Sequence, residues 1–272
     1  MPTTSYRSDA LYQTPRVIHR AVTLVPAGSA GSAVAEVFVP TPPGRVTHVA
    51  IDYVGTAAAT TDVVLTADGL SDGSTGTAFF TVDDNATDIA PRPLGSPAAT
   101  DEARNATAAT DGTEGGRYVK TGVHVDIHDA DPNEAIKVEF WLERLRYDVT
   151  ELVAQSGSDG SAVVTRTLPM NGAGNLIGIH VDFQNTPATA DLVVKADSSG
   201  GYTILTSTSS QTDFGPVAIG QVGGDETNAA VAATDGIGGG GVFRTGLFFD
   251  VAQSDAFTSG NEKIVVHTWC RQ

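Results

Sequence analysis

Short segments in which apolar side chains alternate with polar or small ones recur along the whole chain. A period of two is the pattern of a β-strand with one buried face, and clusters of Gly, Pro, Asp and Ser between such segments are typical of turns. No long segment has the apolar period of a helix. The pattern therefore predicts an all-β protein with antiparallel strands. The predicted strands are residues 46–54, 62–67, 118–127, 136–142, 176–183, 192–195, 202–205, 242–251 and 264–269.

The second half of the chain repeats the first. Residues 49–53 (VAIDY) return as 179–183 (IHVDF) at offset 130. Residues 108–112 (AATDG) return unchanged at 232–236 at offset 124, and Trp141 corresponds to Trp269 at offset 128. Matches that keep their order over about 125–130 residues indicate a tandem duplication in which each copy is long enough to be a domain.

The repeat divides the chain into an arm and two domains. We predict an extended N-terminal arm at residues 1–16, a first domain at 17–148 and a second at 149–272. Seven or eight short strands in each copy favour an antiparallel β-sandwich of jelly-roll type.

Two stretches lack the strand pattern. Residues 83–116 and 207–241 are rich in Ala, Thr, Asp and Gly, and we predict long loops there, with a short helix possible within 98–110. The arm has no counterpart in the second copy. It carries three large side chains with apolar character, Tyr6, Leu11 and Tyr12, in a segment too short to fold alone.

The net charge argues against two classes of partner. Sixteen Lys and Arg stand against thirty-two Asp and Glu, which gives −16 at pH 7. Nucleic acids and anionic membranes are bound through clustered basic side chains, so we expect neither as a partner. No apolar run is long enough for a spanning helix, and the start of the chain lacks the apolar region of a secretory signal.

Candidate metal ligands are few, and we expect no cofactor. The six histidines are scattered, and His124 and His128, four apart on a strand, would lie about 13 Å from each other. Residues 129–134 (DADPNE) alternate oxygen-bearing side chains as a calcium loop does. However, the positions that an EF-hand gives to Gly and Glu hold Glu134 and Phe140. We interpret this segment as a turn, and a weak Ca²⁺ site there stays open.

No catalytic constellation is evident, and we predict a protein that is not an enzyme. Asp52 and Asp182 recur at equivalent positions, as do Asp126 and Asp250, and paired carboxylates hydrolyse glycosides. Carboxylates that cap strand ends explain these positions better. The single cysteine, Cys270, excludes an intrachain disulfide and has no evident base. A glycoside or ester hydrolase remains an alternative.

Residues 49–64 (VAIDYVGTAAATTDVV) and the matching residues 179–193 give the chain a resemblance to a known group of proteins. Together with the tandem sandwich and the arm, they resemble the decoration (cement) and minor structural proteins of tailed-bacteriophage capsids. The resemblance implies a jelly-roll protein, often a trimer, that binds the major capsid protein on the outer face of the virion and assembles in the host cytoplasm.

The arm is the expected attachment surface under this interpretation. Tyr6, Leu11 and Tyr12 are its candidate contact residues, since a segment that orders on docking can span neighbouring subunits. A carbohydrate-binding or host-attachment module is the main alternative. It requires exposed aromatic side chains, whereas the equivalent strand positions of Trp141 and Trp269 favour burial in the core.

Overall fold

In the computed structural model, every regular element of the described residues is a β-strand, as the alternating pattern predicts. The strands of the first half are β1 (Val17–Leu24), β2 (Ala33–Pro40), β3 (Gly44–Val54), β4 (Asp62–Ala67), β5 (Ala78–Val82), β6 (Ile89–Pro93), β7 (Ala109–Thr110), β8 (Arg117–Val119), β9 (Gly122–Ala130) and β10 (Ala135–Arg144). Those of the second half are β11 (Arg146–Leu152), β12 (Ala162–Pro169), β13 (Gly174–Gln184), β14 (Asp191–Ala196), β15 (Thr203–Ser207), β16 (Phe214–Ala218), β17 (Ala233–Asp235), β18 (Gly241–Phe243), β19 (Gly246–Ser254) and β20 (Lys263–Arg271).

The structure describes part of the chain. The described residues are 16–54, 60–68, 78–84, 87–94, 109–110, 117–132, 134–153, 161–184, 190–207, 213–219, 233–235, 241–254 and 263–272. Within these ranges no helix has the length and apolarity that crossing a bilayer takes. The arm residues Tyr6, Leu11 and Tyr12 lie outside the described part of the chain.

Each half folds into two antiparallel five-stranded sheets. In the first half one sheet has the order β1-β10-β3-β6, with β8 also paired to β3, and the other has the order β2-β9-β4-β5-β7. The second half has β11-β20-β13-β16, with β18 paired to β13, and β12-β19-β14-β15-β17. The last long strand of each half lies between the first and third, which is the order of a jelly roll built from two facing sheets.

The jelly-roll-like, all-β prediction is therefore confirmed. The two halves also correspond strand for strand in sheet order. A duplication in the history of the chain stays a prediction.

The core of the first half lies between its two sheets, where alternate residues point inward. On β10, Ile136 and Phe140 are fully buried, and on β4 of the facing sheet Val63 and Leu65 are fully buried. These side chains belong to one apolar cluster, so the two sheets share a core. The second half has a corresponding cluster of its own.

The chain passes from one half to the other through a single residue. β10 ends at Arg144, Leu145 follows, and β11 begins at Arg146 and pairs with β20. The predicted boundary between 148 and 149 thus falls inside β11. That residues 17–148 and 149–272 fold independently stays a prediction.

Two predictions about strand extent are wrong. Residues 118–127 and 242–251 are not continuous strands, because each is split into a short strand on one sheet and a long strand on the other. Residues 83–116 and 207–241 are not only loops, since β6 and β7, and β16 and β17, extend the sheets within them. Of the segment 98–110, where a helix was possible, the described residues are Ala109 and Thr110 of β7, and the others lie outside the described ranges.

In each half, an aspartate side chain accepts hydrogen bonds from the turn that separates the short strand from the long strand. Asp68 Oδ1 accepts the backbone N–H groups of residues 120–122 at 2.6, 2.8 and 3.4 Å. Asp197 Oδ1 accepts those of residues 244–246 at 2.8, 2.7 and 3.3 Å. These hydrogen bonds, first of all the one from Thr245, lower the pKa of Asp197. The recurring Lys/Arg-Thr-Gly element at 120–122 and 244–246 is therefore the turn at which the chain crosses between sheets.

Replacing Asp68 with alanine is expected to lower the free energy of unfolding by about 2 kcal/mol, because three N–H groups lose a charged acceptor at once. Urea unfolding followed by circular dichroism measures the change. Asp52→Ala is the matched control, since Asp52 is exposed on β3 and its loss is expected to stay within about 0.5 kcal/mol. Equal losses for the two variants would contradict this role of Asp68.

Candidate functional site

The two tryptophans of the corresponding sheets lie on the faces that point away from the cores of the halves. On β10, Trp141 alternates with the buried core residues Phe140 and Leu142. On β20, Trp269 alternates with the core residues Val266 and Cys270, and it belongs to a separate cluster outside both cores. The expectation of burial in a core is therefore confirmed for Trp269, whose core cluster lies between the halves, and wrong for Trp141, which is half-buried.

Trp269 is fully buried because the first half covers it. The Tyr118 ring, carried by β8 of the first half, lies 5.3 Å from the Trp269 ring, centroid to centroid. The Trp269 indole Nε1 donates to the backbone oxygen of Val119 at 3.2 Å, and the Tyr118 hydroxyl donates to the backbone oxygen of Ile177 at 2.6 Å. Burial raises the pKa of Tyr118 to about 12, so its hydroxyl stays a donor.

A glycine makes room for this docking. A Cβ atom at Gly178 would lie 2.3 Å from the Tyr118 ring, so that no larger residue fits under it. Gly178 is the register partner of Trp269 in the β13–β20 pair. We call the set of Tyr118 and Val119 against Ile177, Gly178 and Trp269 the β8 contact.

A charged cluster lies beside the β8 contact and also joins the halves. The Glu143 carboxylate, at the end of β10, accepts two hydrogen bonds from the Arg271 guanidinium at 2.8 and 2.9 Å. Arg45 Nη2 donates to Glu143 Oε2 at 2.8 Å. Bidentate pairing of this kind is directional, so it fixes the orientation of one half against the other.

The corresponding face of the first half is open. Trp141 is half-buried and stacks on His19 at 4.8 Å between ring centroids, while His48 meets it edge-on at 6.3 Å. His19 Nε2 lies 3.1 Å from Glu139 Oε1, and the His19 side chain is 47% exposed. We call His19, His48 and Trp141 the Trp141 patch. A half-buried indole flanked by two imidazoles is a surface that favours contact with protein or with a flat apolar ligand.

The structure brings together two histidines that are far apart in sequence. His180 and His267 are register partners on β13 and β20, and their rings stack at 5.0 Å. Burial lowers the pKa of His180 to about 3 and that of His267 to about 4. Both rings are therefore neutral at pH 7, and His267 Nδ1 lies 2.6 Å from the Tyr147 hydroxyl, from which a neutral imidazole can accept.

The candidate catalytic carboxylates lie on separate strands. Asp52 is exposed on β3, and Asp182 on β13 of the other half accepts a hydrogen bond from Gln184 Nε2 at 2.8 Å. Asp126 contacts His128 at 2.8 Å, and Asp250 lies 3.9 Å from Lys195. These contacts are the local pairings of strand residues.

The metal and thiol candidates have local structural roles. Asp131 Oδ1 accepts the backbone N–H of Gly31 at 3.0 Å, and Asp129, with φ = 51°, lies near the end of β9 where the register with β2 shifts. Among the residues that the structure describes, no group of three His, Cys, Asp or Glu is placed to hold a metal ion. Cys270 packs in the core of the second half, and burial raises the pKa of its thiol to about 12.

A scan of protein-family models and a search of curated proteins each found no match to the chain. Solved structures that resemble it include the capsid of the virus PBCV-1, at 8% identity and TM-score 0.28, with 94% of this chain and 93% of that chain covered. PBCV-1 VP54 fitted into a reconstruction of the virophage Sputnik gives 9% identity, TM-score 0.27 and 93% coverage of both chains.

A third similar structure is the VP2 subviral particle of infectious bursal disease virus, at 9% identity and TM-score 0.17, with 93% of this chain and 70% of that chain covered. TM-scores this low carry no conclusion about this chain. The jelly-roll assignment stands on its own strand order.

Proposed function

We propose that this chain is a non-enzymatic structural protein of a virion. In its specific form, the proposal is a bacteriophage decoration (cement) protein that binds the major capsid protein on the outer face of the head, as a homotrimer assembled in the host cytoplasm. The observation that carries the proposal is the use of the outer sheet faces for protein contact: one already joins the two halves, and the other is open.

The charge and the fold support a binding role. A formal charge of −16 keeps a protein with open apolar patches soluble until it docks. Jelly rolls occur in viral capsid proteins and in lectins, and a fold alone does not select between them. The resemblance at residues 49–64 and 179–193 favours the capsid role.

The arm is the proposed attachment element, through Tyr6, Leu11 and Tyr12. Arg16, the last residue of the predicted arm, donates to the backbone oxygen of Gln272 at 3.2 Å. An arm that orders on the capsid loses conformational entropy, which its contacts offset.

Deleting residues 1–15 is expected to abolish binding to heads, while the circular dichroism spectrum of the protein stays unchanged. The measurement is co-sedimentation of the purified chain with heads assembled from the major capsid protein of the same genome. A triple variant, Tyr6→Ala with Leu11→Ala and Tyr12→Ala, is expected to reproduce the loss and keeps the length of the arm.

The matched control is Val163→Arg, which changes an exposed side chain on β12 and is expected to leave binding intact. If the deleted chain still sediments with heads, the arm is not the attachment element. If the full chain does not sediment with heads, the decoration role is wrong.

A carbohydrate-binding or host-attachment module is the second candidate, and the Trp141 patch is the observation that favours it. An indole is a common platform for a sugar ring, and Trp141 is half-buried on the outer face of its sheet. A glycan array separates the two proposals, because glycan binding that Trp141→Ala removes would support this candidate and an array without signal would exclude it.

A further inference from the structure

The two halves place different residues at the positions that form the β8 contact. By register, Trp141 pairs with His48 as Trp269 pairs with Gly178. Similarly, Val242 on β18 pairs with Asn175 of β13, as Tyr118 on β8 pairs with Arg45 of β3. Val242 therefore corresponds to Tyr118, and the Trp141 patch corresponds to the surface that Tyr118 covers.

The counterparts of the two sides of the β8 contact, Val242 and the Trp141 patch, are both left open. Val242 is 59% exposed, although Phe243 beside it is buried in the core. His48 is exposed and Trp141 is half-buried. The chain thus forms the β8 contact between its own halves. The corresponding two sides of a second such contact, Val242 and the Trp141 patch, lie at its surface.

The sizes of the corresponding residues are complementary. In the β8 contact a large ring, Tyr118, lies over a position without a side chain, Gly178. At the open surfaces the imidazole of His48 occupies the glycine position, and the residue in place of the tyrosine is the smaller Val242. The residue at the glycine position is thus larger and the residue at the tyrosine position is smaller, so the total volume of the contact is preserved. Volume-conserving changes of this kind are tolerated in protein cores.

Glu143 and Arg271 occupy corresponding ends of β10 and β20 and pair with each other between the halves. Both groups are engaged in that pair, and the Glu143 side chain is 8% exposed. The complementarity between copies therefore rests on the sizes of the corresponding residues.

We propose that copies of this chain join head to tail, with Val242 of one copy seated on the Trp141 patch of the next. The inference rests on the self-association in the proposed function and identifies its surfaces. Because the two surfaces differ, the contact is heterologous, so it closes into a ring or, if the rotation does not close, extends into a filament.

The test is the mass of the full chain in solution, measured by sedimentation velocity and equilibrium over a range of concentrations. The wild-type chain is expected to form an oligomer of 28.0 kDa subunits. Val242→Arg, which puts a side chain much larger than valine where His48 leaves no room, is expected to weaken association at least about 100-fold. Val163→Arg, at a valine 63% exposed on another sheet, is expected to match the wild type.

A second pair of variants tests the complementarity of size. Val242→Tyr is expected to weaken association, because His48 occupies the space that the ring needs. Adding His48→Gly to the same chain recreates the Tyr118–Gly178 pair and is expected to restore association. A structural defect in either single variant does not predict this rescue, and circular dichroism checks that each chain is folded.

A wild-type chain that stays monomeric at every concentration overturns the inference, as does an oligomer that Val242→Arg leaves intact. An oligomer that dissociates on deletion of residues 1–15 but not with Val242→Arg is held by the arm and also overturns it. The capsid experiment tests the decoration role separately. A monomer that still binds heads supports the decoration role and contradicts this inference. An oligomer that forms through Val242 but does not bind heads supports this inference and contradicts the decoration role.

Discussion

Replacing Trp269 with alanine is expected to lower the free energy of unfolding by about 3–5 kcal/mol, the range for removing a fully buried large aromatic side chain. The indole is 0% exposed and packs against Tyr118 and against Tyr147, whose rings lie 5.3 and 5.1 Å away. Its loss opens a cavity between the halves and leaves the backbone oxygen of Val119 without the indole donor. Urea unfolding followed by far-ultraviolet circular dichroism measures the change.

Trp141→Ala is the matched control because it removes the same side chain from the corresponding strand position. Trp141 is half-buried and stacks on one ring, His19, so the expected loss is about 1 kcal/mol. Both variants are made in the Val242→Arg background, which keeps association between copies out of the comparison. Equal losses at the two tryptophans would contradict the assignment of Trp269 to a contact between the halves.

Several strands were predictable from local alternation, and the correspondence of the halves was predictable from the repeat in the sequence. Residues 62–67 are predicted as a strand and form β4 with those bounds, and residues 136–142 lie within β10. An inward-facing side chain on every second position is a property of each strand alone, so it is visible without knowing the partner strands.

The strand breaks were not predictable from that pattern, because a distant residue causes them. Residues 118–127 alternate without interruption, yet the carboxylate of Asp68, more than fifty residues earlier, takes the N–H groups at 120–122 and turns the chain between sheets. β6 was missed for a different reason. Its sequence IAPRP has little alternation, and it is a strand because it pairs with β3 at the sheet edge.

The cluster around Trp269 was not predicted from the sequence, because β20 is apolar on both faces. Val265 and Trp269 on one face alternate with Val266 and Cys270 on the other, so periodicity does not decide which face meets the core. The useful signal lies in the alignment of the two halves. Gly178 stands where the first half has His48, and Val242 stands where it has Tyr118. Such paired changes of size indicate a contact rather than a core.

Acidification is expected to destabilise the protein by about 2–3 kcal/mol between pH 6.5 and pH 4.5 through the stacked pair His180 and His267. Both pKa values are lowered, to about 3 and about 4, and burial is the main cause for each. The positive charges of Lys120 and Arg117 lower the pKa of His180 further, whereas Asp182 acts in the opposite direction on His267.

The sign follows from which state binds protons. Below pH 6.5 the histidines of the unfolded chain are protonated, while those of the folded chain stay neutral until the pH approaches 4. The contribution of the pair is therefore complete above pH 6.5 and decreases as the pH falls towards 4 and then 3. Two histidines give at most about 2.7 kcal/mol per pH unit, and the partial exposure of both rings reduces this limit by about half.

His180→Ala is the variant that isolates the effect, since the corresponding residue of the first half is the buried Ala50. Removing one ring ends the stacking and opens His267 to solvent, so the difference between the free energies of unfolding at pH 7 and pH 4.5 is expected to shrink by more than half. His124→Ala removes a histidine from β9 and is expected to keep the wild-type pH dependence. If His180→Ala and the wild type lose stability in parallel as the pH falls, carboxylates and not the histidine pair control the acid response.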